Sequence, residues 1–307
     1  MPLTTDRRQF LLRSGAAFAL SGSVGMPSAA QAAPANGRSA RLMPGLCAFS
    51  FGPLFTSGEL SLEAFFDRAI ELKAQAVDIT TYYLKNDDRL YLTHLRNLAF
   101  RNGVPIAGAA CRASLLRLGS ETQESSLAEM KKWIDVAEAL GAPHLRVFPG
   151  KAPAGASKAE SINTLVEAFK RAADYAGSKG IILGMENQNG LADNSETCLE
   201  IIGRVNSPFA GLTLDITHFV RTASRDYYSQ IAACIPIATQ THLRNGNFDD
   251  GSPVDLERIG RIFAEAGYRG YMSAEYESGG RSRIQIMTDV PILMAEIRRL
   301  CGTYSNV

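Results

Sequence analysis

Histidine is scarce in this chain of 307 residues: His94, His144, His218 and His242 are the full complement. That excludes a metal cluster built mainly on imidazole. There is no CxxC pair, and Cys47, Cys111, Cys198, Cys234 and Cys301 are odd in number, far apart and mostly set in apolar runs. Neither a zinc-thiolate knot nor a disulfide framework is expected from them. No GxGxxG follows a strand-like run, so the fingerprint of dinucleotide binding is missing. Charge of one sign is missing too: 32 Lys and Arg face 31 Asp and Glu without a basic block, which leaves no electrostatic handle for nucleic acid. Beyond the first residues no apolar run is long enough to suggest a membrane span.

Those first residues read as an export signal. Arg7-Arg8 precedes Gln9-Phe10-Leu11, a mildly apolar, Gly- and Ala-rich stretch follows from Ser14 to Met26, and Ala30-Gln31-Ala32 supplies a small-residue cleavage site. A twin-arginine signal over residues 1–32 is therefore expected, with a periplasmic destination and no membrane attachment after cleavage. Export by that route follows folding, which suits buried free thiols. Residues 33–41, with Pro, Asn, Gly and Ser, read as a linker. Without the signal the charges stand at 29 basic against 30 acidic, since Arg7, Arg8, Arg13 and Asp6 leave with it.

From residue 42 to 307 short apolar runs alternate with amphipathic ones, the pattern of parallel strands joined by helices. Eight strands are expected: Gly45–Phe51, Ala76–Thr80, Val104–Ala110, His144–Phe148, Ile181–Glu186, Gly211–Asp215, Ile237–Leu243 and Gly270–Glu275. Helical periodicity covers Leu62–Lys73, Ser126–Leu140, Ala159–Ser178 and Leu256–Ala266, and Gly103, Gly141, Gly180 and Gly267 sit where helices end. Eight successive units in 275 residues fit a single α/β domain, a (β/α)8 TIM barrel.

In such a barrel the C-terminal strand ends carry function. Glu186, Asp215, His242 and Glu275 close or nearly close the fifth to eighth apolar strands. Three carboxylates converging there repel one another unless a cation joins them, so one divalent metal ion is expected, with Mn²⁺ or Mg²⁺ favoured by the oxygen-rich set and Co²⁺ or Zn²⁺ next. Asn187 and Gln188 are candidate donors to a ligand carboxylate or the substrate, and Glu277 keeps strand phase with Glu275. Arg146 reads as the anchor of a buried network, and His144, low on its strand, as structural. His94 lies in a helical run and reads as solvated. Phe49, Phe51, Tyr82, Tyr83 and Phe148 are candidates for an apolar substrate wall, and the loop Gly150–Lys158 for a lid.

The segments Gly184-Met-Glu-Asn-Gln-Asn-Gly190, Leu214-Asp-Ile-Thr-His218, Thr241-His-Leu-Arg244 and Ser273-Ala-Glu-Tyr-Glu277 resemble the metal-site strands of the xylose isomerase-like sugar isomerase/epimerase superfamily. Ala139–Phe148 is similar to the passage into its fourth strand. The resemblance implies a metal held by Glu186, Asp215, His242 and Glu275, with Glu186 and Glu275 as the proton-transfer pair. It implies substrate contacts from His218, by likeness to the ketose epimerases, and Arg244 is a further substrate-binding candidate. A metal across a carbonyl and its neighbouring hydroxyl acidifies the carbon between them, which opens isomerisation, epimerisation and elimination.

The expectation is a metal-dependent isomerase or epimerase acting on an unphosphorylated sugar or keto-sugar. Export and the absence of a Gly-rich phosphate cradle argue against a sugar phosphate. A lyase or dehydratase eliminating from a 3-keto-glycoside or related polyol on the same site is the runner-up, and a periplasmic sugar-binding protein is the non-catalytic alternative. A DNA-repair endonuclease on the same scaffold conflicts with four histidines and a neutral chain. A homo-oligomer is compatible with the sequence.

Overall fold

The computed structural model describes residues 39–116, 123–188 and 190–305. Eight parallel strands close into a barrel, each paired with its neighbour in sequence and the last with the first. They are β1 (Arg41–Cys47), β2 (Ala76–Thr80), β3 (Ile106–Ser114), β4 (His144–Phe148), β5 (Ile182–Glu186), β6 (Ala210–Asp215), β7 (Ala238–Leu243) and β8 (Arg269–Ala274). One main helix follows each: α1 (Leu62–Glu71), α2 (Arg89–Arg101), α3 (Gln123–Leu140), α4 (Lys158–Ser178), α5 (Ser195–Val205), α6 (Tyr227–Cys234), α7 (Leu256–Glu265) and α8 (Arg283–Tyr304). This is the single (β/α)8 TIM barrel expected. The export signal and residues 33–38 of the linker lie outside the described residues.

The expected first strand needs correcting: β1 starts four residues earlier, at Arg41, and stops at Cys47. Phe49 and Phe51 instead belong to a 3-10 turn, Ala48–Phe51, leading into a short helix, Gly52–Thr56, with Pro53 in its first turn. Proline is tolerated there because the first helical N–H groups lack partners anyway. Pro44 is accommodated inside β1 because its carbonyl accepts from Gln75 N on the β2 side, and β2 pairing starts only at Gly45. Its missing N–H therefore removes no bond to β2.

The helices start and stop on local chemistry. Ser157 and Glu160 cap α4 reciprocally, as Ser282 and Gln285 cap α8, while the side chains of Asn194, Asp226 and Asp255 cap α5, α6 and α7. Gly103, Gly141, Gly180 and Gly267 follow helices at φ between 65° and 71°, a left-handed conformation that glycine adopts without Cβ strain.

Alternation along the strands decides where the site can form. Leu46, Val77, Ile79, Leu145, Val147, Leu183, Met185, Leu212, Leu214, Leu243 and Met272 belong to the apolar core shared with helix residues such as Phe65, Phe66, Phe169 and Phe263. The intervening residues face inward, where branched aliphatics usually fill a barrel of this type. Here the filling is polar. Gln240 on β7 donates across the lumen to Asp78 Oδ1 on β2 at 2.7 Å, and His144 Nε2 lies 3.1 Å from Thr239 Oγ1. Glycines on the odd strands make room: a Cβ on Gly45 would overlap Ser273 Oγ, one on Gly108 would stand 2.8 Å from Asp78 Oδ1, and one on Gly184 would overlap His144 Nε2 and Thr213 Oγ1. Two residues further along every strand, at the C-terminal side of this layer, come Cys47, Thr80, Ala110 and Arg146, then Glu186, Asp215, His242 and Glu275.

Candidate metal centre at the C-terminal mouth

The second half of that upper ring is the site. Glu186 and Asp215 are the last residues of β5 and β6, His242 is the penultimate residue of β7, and Glu275 directly follows β8, its N–H still bonded to Leu243 O at 2.9 Å. All four are buried, and one donor atom from each falls within 4.8 Å of the others. His242 Nδ1 stands between two carboxylates, 3.2 Å from Glu186 Oε1 and 3.3 Å from Glu275 Oε2.

Neighbouring side chains fix these donors. Asn187, fully buried, donates from Nδ2 to Asp215 O and accepts Asp215 N at Oδ1, both at 2.8 Å, so its amide ties β5 to β6 and sets the Asp215 backbone. Gln188 Nε2 donates to Glu186 Oε2 at 3.3 Å. Thr217 donates from N and Oγ1 to Asp215 Oδ1 at 2.8 and 2.7 Å. Arg244 spans the mouth, reaching Asp215 Oδ2 at 2.7 Å, Glu275 Oε2 at 2.5 Å and Glu277 Oε2 at 2.7 Å. Glu277 is largely exposed and meets the centre only through Arg244. His218 Nδ1 lies 3.7 Å from Asp215 Oδ2, buried and without a hydrogen-bond partner.

Arg146 anchors a network on the opposite flank. It donates to Cys111 O at 3.0 Å and Tyr82 Oη at 3.4 Å, lies over the Phe148 ring, and its Nε is 3.8 Å from Glu186 Oε2. Of the expected apolar wall, Phe51 is packed edge-on against Phe65 inside the core. Phe49 and Tyr83 line a cavity of about 490 Å³ with Gly52, Pro53 and Ser278. Thr80 and Ala110, both small, hold the inward positions on β2 and β3. His94 is exposed on α2, and His144 is buried in the polar layer beneath the site. A second cavity, of about 540 Å³ and lined by Arg41, Lys73 and Arg298, lies at the other end of the barrel.

Cys47 is the residue that sequence reasoning missed. Its thiol donates to Glu275 Oε1 at 3.4 Å, and Cys47, His242 and Glu275 form a second group of mutually close donors. It ends its strand as Glu186 and Asp215 end theirs, but the apolar Ala48-Phe49 that follows hid that position in the sequence.

Burial opposes charge at Glu275, Asp215 and His242, yet their charged forms prevail. Burial would raise the Glu275 carboxyl, but His242 and Arg244 hold it well below the usual carboxylate range. Burial likewise works against Asp215 ionisation and is outweighed by Arg244 and His218. For His242 burial disfavours the proton, while Glu275 and Glu186 hold it on well above the ordinary imidazole range. Burial, reinforced by Glu275, pushes the Cys47 thiol up.

The donor set fits a divalent cation. Three carboxylates face the guanidiniums of Arg146 and Arg244 and the imidazole of His242, so in the metal-free chain an imidazole proton supplies the third positive charge. A metal ion held by His242 would take over from that proton. Two donors on one small cation stand roughly 3.3 Å apart in tetrahedral geometry. The His242 contacts at 3.2 and 3.3 Å have that spacing.

A closed parallel barrel with carboxylates and an imidazole gathered at its C-terminal mouth defines a class of enzyme-bearing scaffolds that bind their ligands at that end. Within the class, this chain belongs to the xylose isomerase-like TIM barrel family, which matches residues 66–298. Among solved structures it is similar to D-psicose 3-epimerase from Clostridium cellulolyticum H10, crystallised with D-tagatose, at 13% identity and TM-score 0.68 over 84% of this chain and 99% of that one. It is similar also to the probable 3-DHS dehydratase AsbF of petrobactin synthesis from Bacillus anthracis, at 17% identity and TM-score 0.65 over 84% and 98%. A protein of Sinorhizobium meliloti 1021 aligns at 17% identity and TM-score 0.69 over 84% and 98%. At these identities the likeness is one of fold. No curated protein matches the sequence.

Proposed function

We propose that this protein is a metal-dependent isomerase or epimerase acting on an unphosphorylated sugar or keto-sugar. The observation that carries the reading is the convergence of Glu186, Asp215, His242 and Glu275 on adjacent strands, with their donors within 4.8 Å. These four would hold the ion, which supplies Lewis-acid polarisation of a carbonyl and its neighbouring hydroxyl.

The chain's own residues do the rest. Glu186 and Glu275 flank His242 from two sides, so a substrate carbon seated between them has a carboxylate within reach on either face. One removes the proton next to the carbonyl and the other returns it, to the same carbon for epimerisation or to its neighbour for isomerisation. Gln188 steadies Glu186, and Asn187 holds the Asp215 backbone. Arg244 and the partly exposed imidazole of His218 are the polar groups offered to sugar oxygens at the rim. Small side chains at Thr80 and Ala110 leave the first half of the barrel as the space for the substrate, with Phe49 and Tyr83 as its apolar wall. A twin-arginine signal over residues 1–32 would place the reaction in the periplasm, which favours a sugar without phosphate.

The test is incubation of the metal-loaded protein with a panel of ketoses and 3-keto-glycosides in D₂O. Deuterium at the carbon next to the carbonyl is expected, and Glu186→Gln or Glu275→Gln should slow its appearance by about 10²–10⁴-fold. Exchange that survives both substitutions overturns the acid-base pair. An unsaturated product would mean elimination, and saturable binding without exchange a sugar-binding protein.

A further inference from the structure

Cys47 stands where a thiol is hard to explain by packing alone. Cys111 and Cys198 donate to backbone carbonyls at 3.5 Å, the ordinary use of a buried structural thiol. Cys47 instead turns its sulfur into the charged ring, 3.4 Å from Glu275 Oε1, in a barrel interior where a hydroxyl would make the better donor. What sulfur offers there and oxygen does not is a soft anionic ligand.

The spacing agrees. A sulfur about 2.3 Å and an oxygen about 2.0 Å from one tetrahedral zinc ion stand roughly 3.5 Å apart. The observed separation is 3.4 Å, and the donors of Cys47, His242 and Glu275 lie within 4.8 Å of one another as a group separate from that of Glu186, Asp215, His242 and Glu275, so a tetrahedral ion held by the thiol would share His242 and Glu275 and sit on the Cys47 side of the ring.

We propose that Cys47 joins His242 and Glu275 as a ligand on the β1 side of the metal centre and turns its preference from Mg²⁺ and Mn²⁺ toward Zn²⁺ and Co²⁺. This rests on the metal reading above and narrows it. Binding forms a metal-sulfur bond and releases the thiol proton to solvent, with no change of oxidation state.

The test is to strip the full-length protein of metal, load it with Co²⁺ alone and record its absorption spectrum. Wild type is expected to show visible ligand-field bands together with an intense sulfur-to-cobalt charge-transfer band in the near ultraviolet. In Cys47→Ser and Cys47→Ala the near-ultraviolet band should vanish while the visible bands remain. Zn²⁺ affinity should fall by more than the roughly 10–100-fold that loss of an outer-shell partner costs, with Mg²⁺ affinity nearly unchanged. Visible bands without the charge-transfer band in wild type would overturn the role of Cys47 and leave the metal centre standing, as would a band that survives Cys47→Ala. Absence of any cobalt band would overturn the metal centre itself. The wild-type spectrum decides even if a variant fails to fold.

Discussion

His144 gives the sharpest test of the polar barrel interior. Burial drives its imidazole from 6.5 down to about 3, helped by the charges of His242 and Arg146. The folded chain therefore keeps His144 neutral where the unfolded chain protonates it, so stability contributed by this residue is intact above pH 6.5, falls as pH drops below it and levels off near pH 3. The penalty is about 1 kcal/mol at pH 6 and about 2 kcal/mol at pH 5. The figure at pH 5 hardly changes for any folded value below about 4, because only the unfolded state then binds the proton. His144→Gln keeps an amide nitrogen able to meet Thr239 but cannot titrate. Urea unfolding of both metal-free proteins, followed by far-ultraviolet circular dichroism from pH 8 to pH 5, should show the variant gaining about 2 kcal/mol on wild type over that span. The offset at pH 8 is immaterial. Parallel curves would mean that His144 is charged or hydrated in the folded chain, and the account of the lumen would fall.

Arg244→Gln should destabilise the metal-free protein by about 3–5 kcal/mol, because it strips buried Asp215 and Glu275 of their counter-charge, and added Zn²⁺ should restore much of the loss. Equal unfolding midpoints in EDTA would contradict it. Gly184→Ala should cost about 1–3 kcal/mol through overlap with His144 and Thr213, and the loss should shrink in the double variant with His144→Ala. Strict additivity in a double-mutant cycle would show that the two residues do not share space.

The second half of the site was legible because each of its residues interrupts an apolar run at its end: Glu186 after Ile-Leu-Gly-Met, Asp215 after Gly-Leu-Thr-Leu. A charge in that place has no packing use, so it stands out. The first half gave no such sign. Cys47 looks apolar among apolar neighbours, and only the turn of the chain at Ala48 reveals that it ends a strand. Phe49 and Phe51 continued the apolar pattern and drew the expected strand four residues too far, while Arg41 and Pro44 masked its start. Asn187 reads as a free polar group beside a ligand, yet both its amide atoms serve the Asp215 backbone 28 positions away. Pairings of that kind depend on closure of the barrel and have no local signature. The same holds for Asp78, whose partner Gln240 is 162 residues distant.

The interlocking of Gly45 with Ser273, Gly108 with Asp78, and Gly184 with His144 and Thr213 also limits how such a chain can drift. A larger residue cannot enter at a glycine position until the side chain on the adjoining strand has shrunk, and a bulkier group on the even strands must wait for its glycine. Change in the floor beneath the metal centre then proceeds by matched exchanges on neighbouring strands. Among descendants, the residues at these positions should be inherited as sets, so that their joint pattern marks lineages more faithfully than any one of them does.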